Sequence, residues 1–206
     1  MKLTDNGGKE FEQAPTGNHV GRCVGMIDIG TQQGEYLGKT THARKIVLRF
    51  ELPNELISEG EFSGKPFIVS KFYTASLGER ANLRKDLAAW RGRDFTAEEL
   101  MGFDSKNVLD KPCMVNVTRT DKNKAKIAGL SPIPKGMTVP GRVHDLLYFS
   151  LEADEFKASV YEGLNDYWKG EIQKSPEWAE LNGSRPKPPA NGGGSKFDDF
   201  ESDIPF

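Results

Sequence analysis

Cysteine and histidine are scarce in this chain of 206 residues, with two of the first and three of the second. Cys23 and Cys113 form no CxxC pair and His19, His42 and His144 are scattered, so the ligand spacing of a zinc site is missing. The two thiols, set among β-forming residues in GRCVG and KPCMV, read as buried, reduced cysteines in strands. No apolar run approaches the roughly 18 residues of a membrane helix. The opening MKLTDNGGKEFEQAPTG lacks the basic start and apolar stretch of a secretory leader, so a cytoplasmic protein is expected. Also missing are GxxxxGK[ST], HExxH, GxSxG and any acidic cluster with metal-ligand spacing. No cofactor or metal is expected, and the chain reads as non-enzymatic.

What is present is an uneven charge. The net charge of -2 hides a basic stretch, residues 15–135, with 19 Lys/Arg against 14 Asp/Glu, followed by an acidic one, residues 136–182, with 4 against 9. Such a division hints at a polyanionic partner for the basic part.

Hydrophobic period divides the chain further. NHVGRCVGMIDIGTQ reads as a long strand with Gly21 and Gly25 as bend or bulge points. TTHARKIVLRFELP is a second, with Ile46, Leu48 and Phe50 on one face, Lys45, Val47 and Arg49 on the other, and Pro53 closing it. KPFIVSKFYTASL is a third. In GERANLRKDLAAWRG the spacing changes to three and four, which predicts a helix ending at Gly92. Thr96 and Glu99 form a capping box for another helical turn. KPCMVNVTRT and NKAKIAGLSPI complete five strands, joined by the turn TDKNK. This order predicts a mainly β fold, the OB-fold, a five-stranded Greek-key barrel with a helix between strands three and four. An SH3-like barrel or small sandwich is the rival, and neither expects a three-turn helix at that point.

The domain reading is an OB-fold ssDNA-binding domain over 1–140 and an accessory acidic strand and helical segment over 141–182. A flexible Gly/Pro-rich linker follows at 183–196, then an acidic tip at 197–206. In the accessory segment Phe156, Val160, Tyr161, Leu164, Trp168 and Ile172 form a packing stripe that covers the barrel or a partner subunit.

An OB barrel holds single-stranded nucleic acid with cations along the phosphates and aromatic rings under the bases. Candidate ssDNA contacts are Tyr36, Arg44, Lys45, Arg49, Lys71 and Tyr73 in the first three strands, and Arg119, Lys122, Lys124 and Lys126 around the last turn. Lys71 and Tyr73 share a face, as a phosphate contact beside a stacking ring requires, although Tyr73 suits a core position equally well. Phe50, Phe67 and Phe72 read as core. Arg91 and Arg93 bracket Gly92 and serve either as helix caps or as phosphate contacts.

The tip FDDFESDIPF places Phe197, Phe200, Ile204 and Phe206 among Asp198, Asp199, Glu201 and Asp203. A terminal ring with its α-carboxylate suits a basic-rimmed hydrophobic pocket on another protein, and Pro205 lowers the ordering cost. SDIPF behind such a linker resembles the acidic tip of bacterial single-stranded DNA-binding proteins. The stretches FELPNEL, VSKFYTASLGERANLRKDLAAWRGRDFT, GFDSKNVLDKPCMV and IPKG make the body similar to a phage or prophage-encoded SSB-like family. The resemblance implies ssDNA protection in phage replication, recombination and repair, in the bacterial host cytoplasm. It also implies recruitment of host or phage proteins through the tip residues Asp198, Asp199, Phe200, Asp203, Ile204, Pro205 and Phe206. Residue by residue, only Asp203, Ile204, Pro205 and Phe206 transfer. Residues 145–182 have no counterpart in that family, which leaves a homo-oligomer open. The alternatives are a recombination or replication adaptor acting through protein contacts, and a nuclease or annealing enzyme with an unrecognised site.

Overall fold

A computed structural model describes residues 11–183. Its organising element is one long antiparallel hairpin, β1 (Gly17–Tyr36) with β2 (Lys39–Leu56). The reversal at Leu37-Gly38 has both residues at positive φ, 50° and 73°, the combination that a two-residue turn needs to match strand twist. β3 (Pro66–Thr74) pairs antiparallel with β2, and α1 (Asn82–Arg91) follows. Gly92 ends α1 in the left-handed region at φ 69°, as the sequence predicts. α2 (Ala97–Met101) opens on the Thr96/Glu99 capping box, and a 3-10 turn over Ser105–Val108 leads to β4 (Pro112–Arg119) and β5 (Ala125–Ser131). β6 (Leu147–Phe149) lies parallel to β1, after which come α3 (Ala158–Glu162), α4 (Asp166–Gln173) and α5 (Pro176–Leu181). The result is a mainly β structure: a six-stranded sheet, antiparallel except for β6, with the path β3-β2-β1-β4-β5.

The inner face of this curled sheet encloses the first core. Ile46, Leu48, Phe50 and Leu52 of β2 are buried there with Cys23, Met26, Val115 and Ile127. α1 adds Leu83, Leu87 and Trp90; the Trp90 ring meets Phe50 edge-on at 5.6 Å, and its Nε1 donates to the Pro112 carbonyl at 2.7 Å. Both thiols are free and buried, and burial pushes Cys23 up to about 12.

Two expectations about the strands need correction. β1 bulges at Val24 and Ile29, each directly before a glycine, Gly25 and Gly30, whereas Gly21 pairs in regular register with Cys113. The extra residue at Val24 turns Cys23 and Met26 toward the same core, against simple alternation. β2 does not end at Pro53 but runs on to Leu56. Pro53 falls between the last β1 partner, at Glu51, and the pairing with β3 that resumes at Leu56, so no ladder bond needs its missing N–H.

The outer face of β1 and β2 is buried as well. Ile27, Ile29 and Val47 form a second core with Phe149, Leu164, Trp168 and Ile172, so the packing stripe read from the sequence covers the sheet of its own chain. Burying each such side chain contributes about 1.5–3 kcal/mol, which makes residues 147–181 a fixed wall rather than a lid. Backbone bonds fasten this wall to buried acids. Glu51, with 0% exposure, accepts from the backbone N–H groups of Val143 (2.8 Å) and His144 (2.7 Å), and Asp28 accepts from Leu151 N–H at 3.1 Å. Glu177 accepts from Thr31 N–H and Oγ1 at 2.8 and 2.5 Å. Burial pushes this carboxyl up, but the Thr31 bonds outweigh it and hold Glu177 below the usual carboxylate range.

Among the described residues no helix is long and apolar enough to cross a membrane. Nearly all of the expected linker, from residue 184, and the whole tip lie outside the described residues.

The closest approach of wall to sheet is at Gly30, whose φ is +71° and where a Cβ would stand 2.4 Å from the Ser175 Cβ. Gly30→Ala is expected to cost about 2 kcal/mol or more and lower Tm by about 4–8 °C in thermal unfolding. Gly129→Ala, where a Cβ meets nothing within 4 Å, should stay within about 0.5 kcal/mol.

Candidate nucleic-acid interface

Four of the ten predicted cations are paired with acids of the sheet and helices. Lys71 and Tyr73 do share a face, but it is the inner one. Tyr73 is 2% exposed and its hydroxyl donates to Asp86 at 2.7 Å, while Lys71 Nζ stands 2.9 Å from the same carboxylate and 5.6 Å from the Tyr73 ring centre. The ring therefore offers no face to a base, which corrects the stacking role and leaves the core role. Arg91 and Arg93 converge on Glu99, and the Arg91 guanidinium lies 4.4 Å from the Phe95 ring centre. They tie α2 to the end of α1. Arg93 first, then the Thr96 N–H, hold Glu99 down at about 2. Arg44 donates to Asp28 at 2.5 Å, with Glu152 at 3.4 Å, and the Asp28 bond raises its pKa.

The remaining candidates are more open. Arg119 ends β4 half-buried, with Nη1 buried and unbonded. Lys122 is exposed in the β4–β5 turn, and Lys124 and Lys126 are half-exposed beside it. Tyr36 closes β1 opposite Lys39. Asp198, Asp199, Phe200, Asp203, Ile204, Pro205 and Phe206 lie outside the described residues.

Strand register builds a strip that the sequence did not reveal. On the outer face of β2 and β3 three pairs follow one another: Lys45 with Thr74, Val47 with Phe72, and Arg49 with Ser70. Lys45 Nζ donates to Thr74 Oγ1 at 2.9 Å. Phe72, expected in the main core, sits instead half-buried at the margin of the second one, its ring centre 5.7 Å from that of Trp168. Val47 is covered by the wall, whereas Lys45, Arg49, Ser70 and Phe72 are half-buried and Thr74 is exposed. Arg49 lies over Gly25: a Cβ on that glycine would be 3.3 Å from Arg49 Cδ, so the absence of a side chain there makes room for the arginine stem. Among the described residues Arg49 has no ion pair, and its Nε is buried without a partner. Burial accordingly lowers its pKa. A desolvated cation without an acid costs stability, and a phosphate oxygen would relieve that cost.

At the Lys45 end, where β3 gives way to Ala75, a cleft of about 520 Å³ opens. Its floor is apolar, made by Met26, Ile46 and Leu48 of the sheet and Leu83 and Leu87 of α1. Its rim carries Arg44, Asp28, Glu152, Tyr148 and Glu155. Glu155 accepts from both Lys106 and Tyr148, which holds it below the usual carboxylate range. Burial and then that bond push the Tyr148 phenol up to about 12. Asp28 is saturated by Gly30 N–H, Leu151 N–H and two nitrogens of Arg44. Sequence reasoning missed Ser70, Thr74 and Glu152. Alternation along β2 and β3 would have placed the first two, had the register been readable.

Comparison of the chain with protein-family models, with curated proteins and with solved structures found no match.

The cleft's rim has an optical signature. Tyr148 is expected to ionise near pH 12 in absorbance after a rapid alkaline jump that precedes unfolding. Glu155→Gln removes a negative charge that opposes ionisation, so it should move that phase down toward the ordinary value of about 10. Tyr148→Phe should delete it.

Proposed function

We propose that this chain is a non-enzymatic single-stranded DNA-binding protein that takes the phosphate backbone along the outer strip of β2 and β3. It acts in phage replication, recombination or repair and engages other proteins through its C-terminal tip. The observation that carries the reading is Arg49, a guanidinium kept at the margin of a buried face with no acid to neutralise it. Lys45 and the half-buried Phe72 lie on the same strip and supply a second cation and a ring. The sheet path, with its helix between the third and fourth strands, supports an OB barrel opened between β3 and β5. In OB-folds the face of strands two and three carries oligonucleotides. The tip's likeness to that of bacterial single-stranded DNA-binding proteins supports the same assignment and names the company expected.

The experiment is fluorescence anisotropy of a labelled dT oligomer across a salt series. Wild-type affinity should fall steeply with salt as counterions are released. Arg49→Met should weaken binding and reduce the log–log salt slope by about 0.7, one phosphate's worth on a single strand. The same variant should keep or raise Tm, since an unpaired, desolvated charge is replaced by an apolar chain. Weaker binding with a lower Tm would mean that Arg49 serves the fold. No binding of dT at any salt would favour the adaptor reading.

Removal of residues 197–206 takes away four acids that compete with phosphate. Tighter dT binding at low salt and loss of partner capture are the expected results, both readable in the same anisotropy assay with and without the partner.

A further inference from the structure

We infer that the cleft at the end of the strip takes one unstacked guanine base, read by the carboxylate of Glu152. This inference rests on the proposal that the strip carries ssDNA. The strip leads into the cleft: Lys45 and Thr74 close it, and their chain neighbours Arg44 and Ala75 line the cleft. A chain of nucleotides leaving the strip therefore has its next base at the mouth. At about 520 Å³ the cleft has the size of a small-molecule site, and its floor of Met26, Ile46, Leu48, Leu83 and Leu87 suits the flat face of a base.

The rim decides which base. Acids outnumber cations there, so a phosphate is repelled and the backbone stays outside with Lys45 and Arg49. Two of the four acids have both oxygens engaged, and a third has one. Asp28 is saturated, both oxygens of Glu155 are engaged, and Asp104 Oδ1 accepts from Lys106 N–H at 2.8 Å. Glu152 differs: its side chain is 57% exposed and among the described residues its one ion pair is a long contact of Oε1 with Arg44, at 3.4 Å. Each carboxylate oxygen has more than one lone pair, so Oε1 and Oε2 can accept side by side. Guanine presents adjacent N1–H and N2–H donors on one edge, which a carboxylate takes in parallel as it takes an arginine fork. Thymine has a single N3–H between two carbonyls that a carboxylate repels. Adenine and cytosine each set their amine beside a ring acceptor, so neither fills both oxygens. Bases of single strands are read in this way, splayed out and bonded on the Watson–Crick edge.

The test compares dT9 with dT4-dG-dT4, and with its dA and dC counterparts, on the full chain. The readout is the affinity ratio to dT9 within each protein. In the wild type the dG oligomer should bind about tenfold tighter, within the discrimination of one bidentate base contact. The ratio should fall to near one in Glu152→Ala, at an exposed position that leaves folding intact. It should fall likewise in Leu87→Phe, which narrows the floor. Equal binding of all four oligomers by the wild type overturns the guanine site and leaves the strip standing. So does a dG preference that survives both substitutions. If no oligomer binds, the ssDNA reading itself has failed, a result that equal binding cannot be mistaken for.

Discussion

Glu51 is a carboxylate with no exposed surface, placed on the outer face of β2, and the arrangement of everything outside the first core depends on it and on Asp28. A buried acid is tolerated only when its lone pairs are filled. Here donors come from the chain that follows β5: Val143 and His144 to Glu51, Leu151 to Asp28. The acids thus fix where residues 141–151 cross the sheet before any apolar contact is considered. Ile27, Val47 and Phe149 then find one another, and α4 closes over them with Trp168 and Ile172. Thr31 and Glu177 repeat the device at the far end, beneath the close approach of Gly30 to Ser175.

That fixed wall determines which cations are left for a polyanion. The outer sheet face is half occupied by the chain's own later segment, so the number of positive residues in β1–β3 overstates the basic surface. Lys71 is spent on Asp86 and Arg44 on Asp28, each inside a network that also orders a neighbour. Arg49 escapes because Gly25 leaves room for its stem and the next acid on its face, Glu51, is taken up by the backbone of Val143 and His144. An unpaired charge retained where an apolar side chain would pack better is the kind of local inconsistency that marks function rather than folding.

The strand and helix order was legible in the sequence, because period-two runs, the Gly92 stop and the Thr96/Glu99 box are all local signals. The packing stripe from Phe156 to Ile172 was legible too, but not its target. Pairing was not: Phe72 looked like core because its neighbours alternate about it, and only the register opposite Val47 shows that it lies between Lys45 and Arg49 on the outer face. Tyr73 misled in the opposite direction. A tyrosine beside a lysine on one strand face describes a stacking site and a buried hydrogen-bonded pair equally well, and what decides between them is Asp86, thirteen residues away on α1. The bulge at Val24 was legible to within a residue, since it abuts Gly25, one of the two glycines that the sequence marks as bend or bulge points.

β2 ties the two candidate surfaces together. Its odd-numbered residues Lys45, Val47 and Arg49 face outward along the strip, and the even-numbered Ile46 and Leu48 face the cleft and the first core. With a period of two, a single strand presents two cations on one side and an apolar floor on the other. The pair can meet only where the strand emerges from both cores. That point is Arg44 and Lys45, where the wall has ended, the hairpin arm has not yet separated, and the chain of β3 turns away at Ala75. A ligand with alternating anionic and aromatic groups matches this geometry, since each surface takes only one of its two parts. The acids at the rim and the cations on the strip then keep those parts from exchanging places.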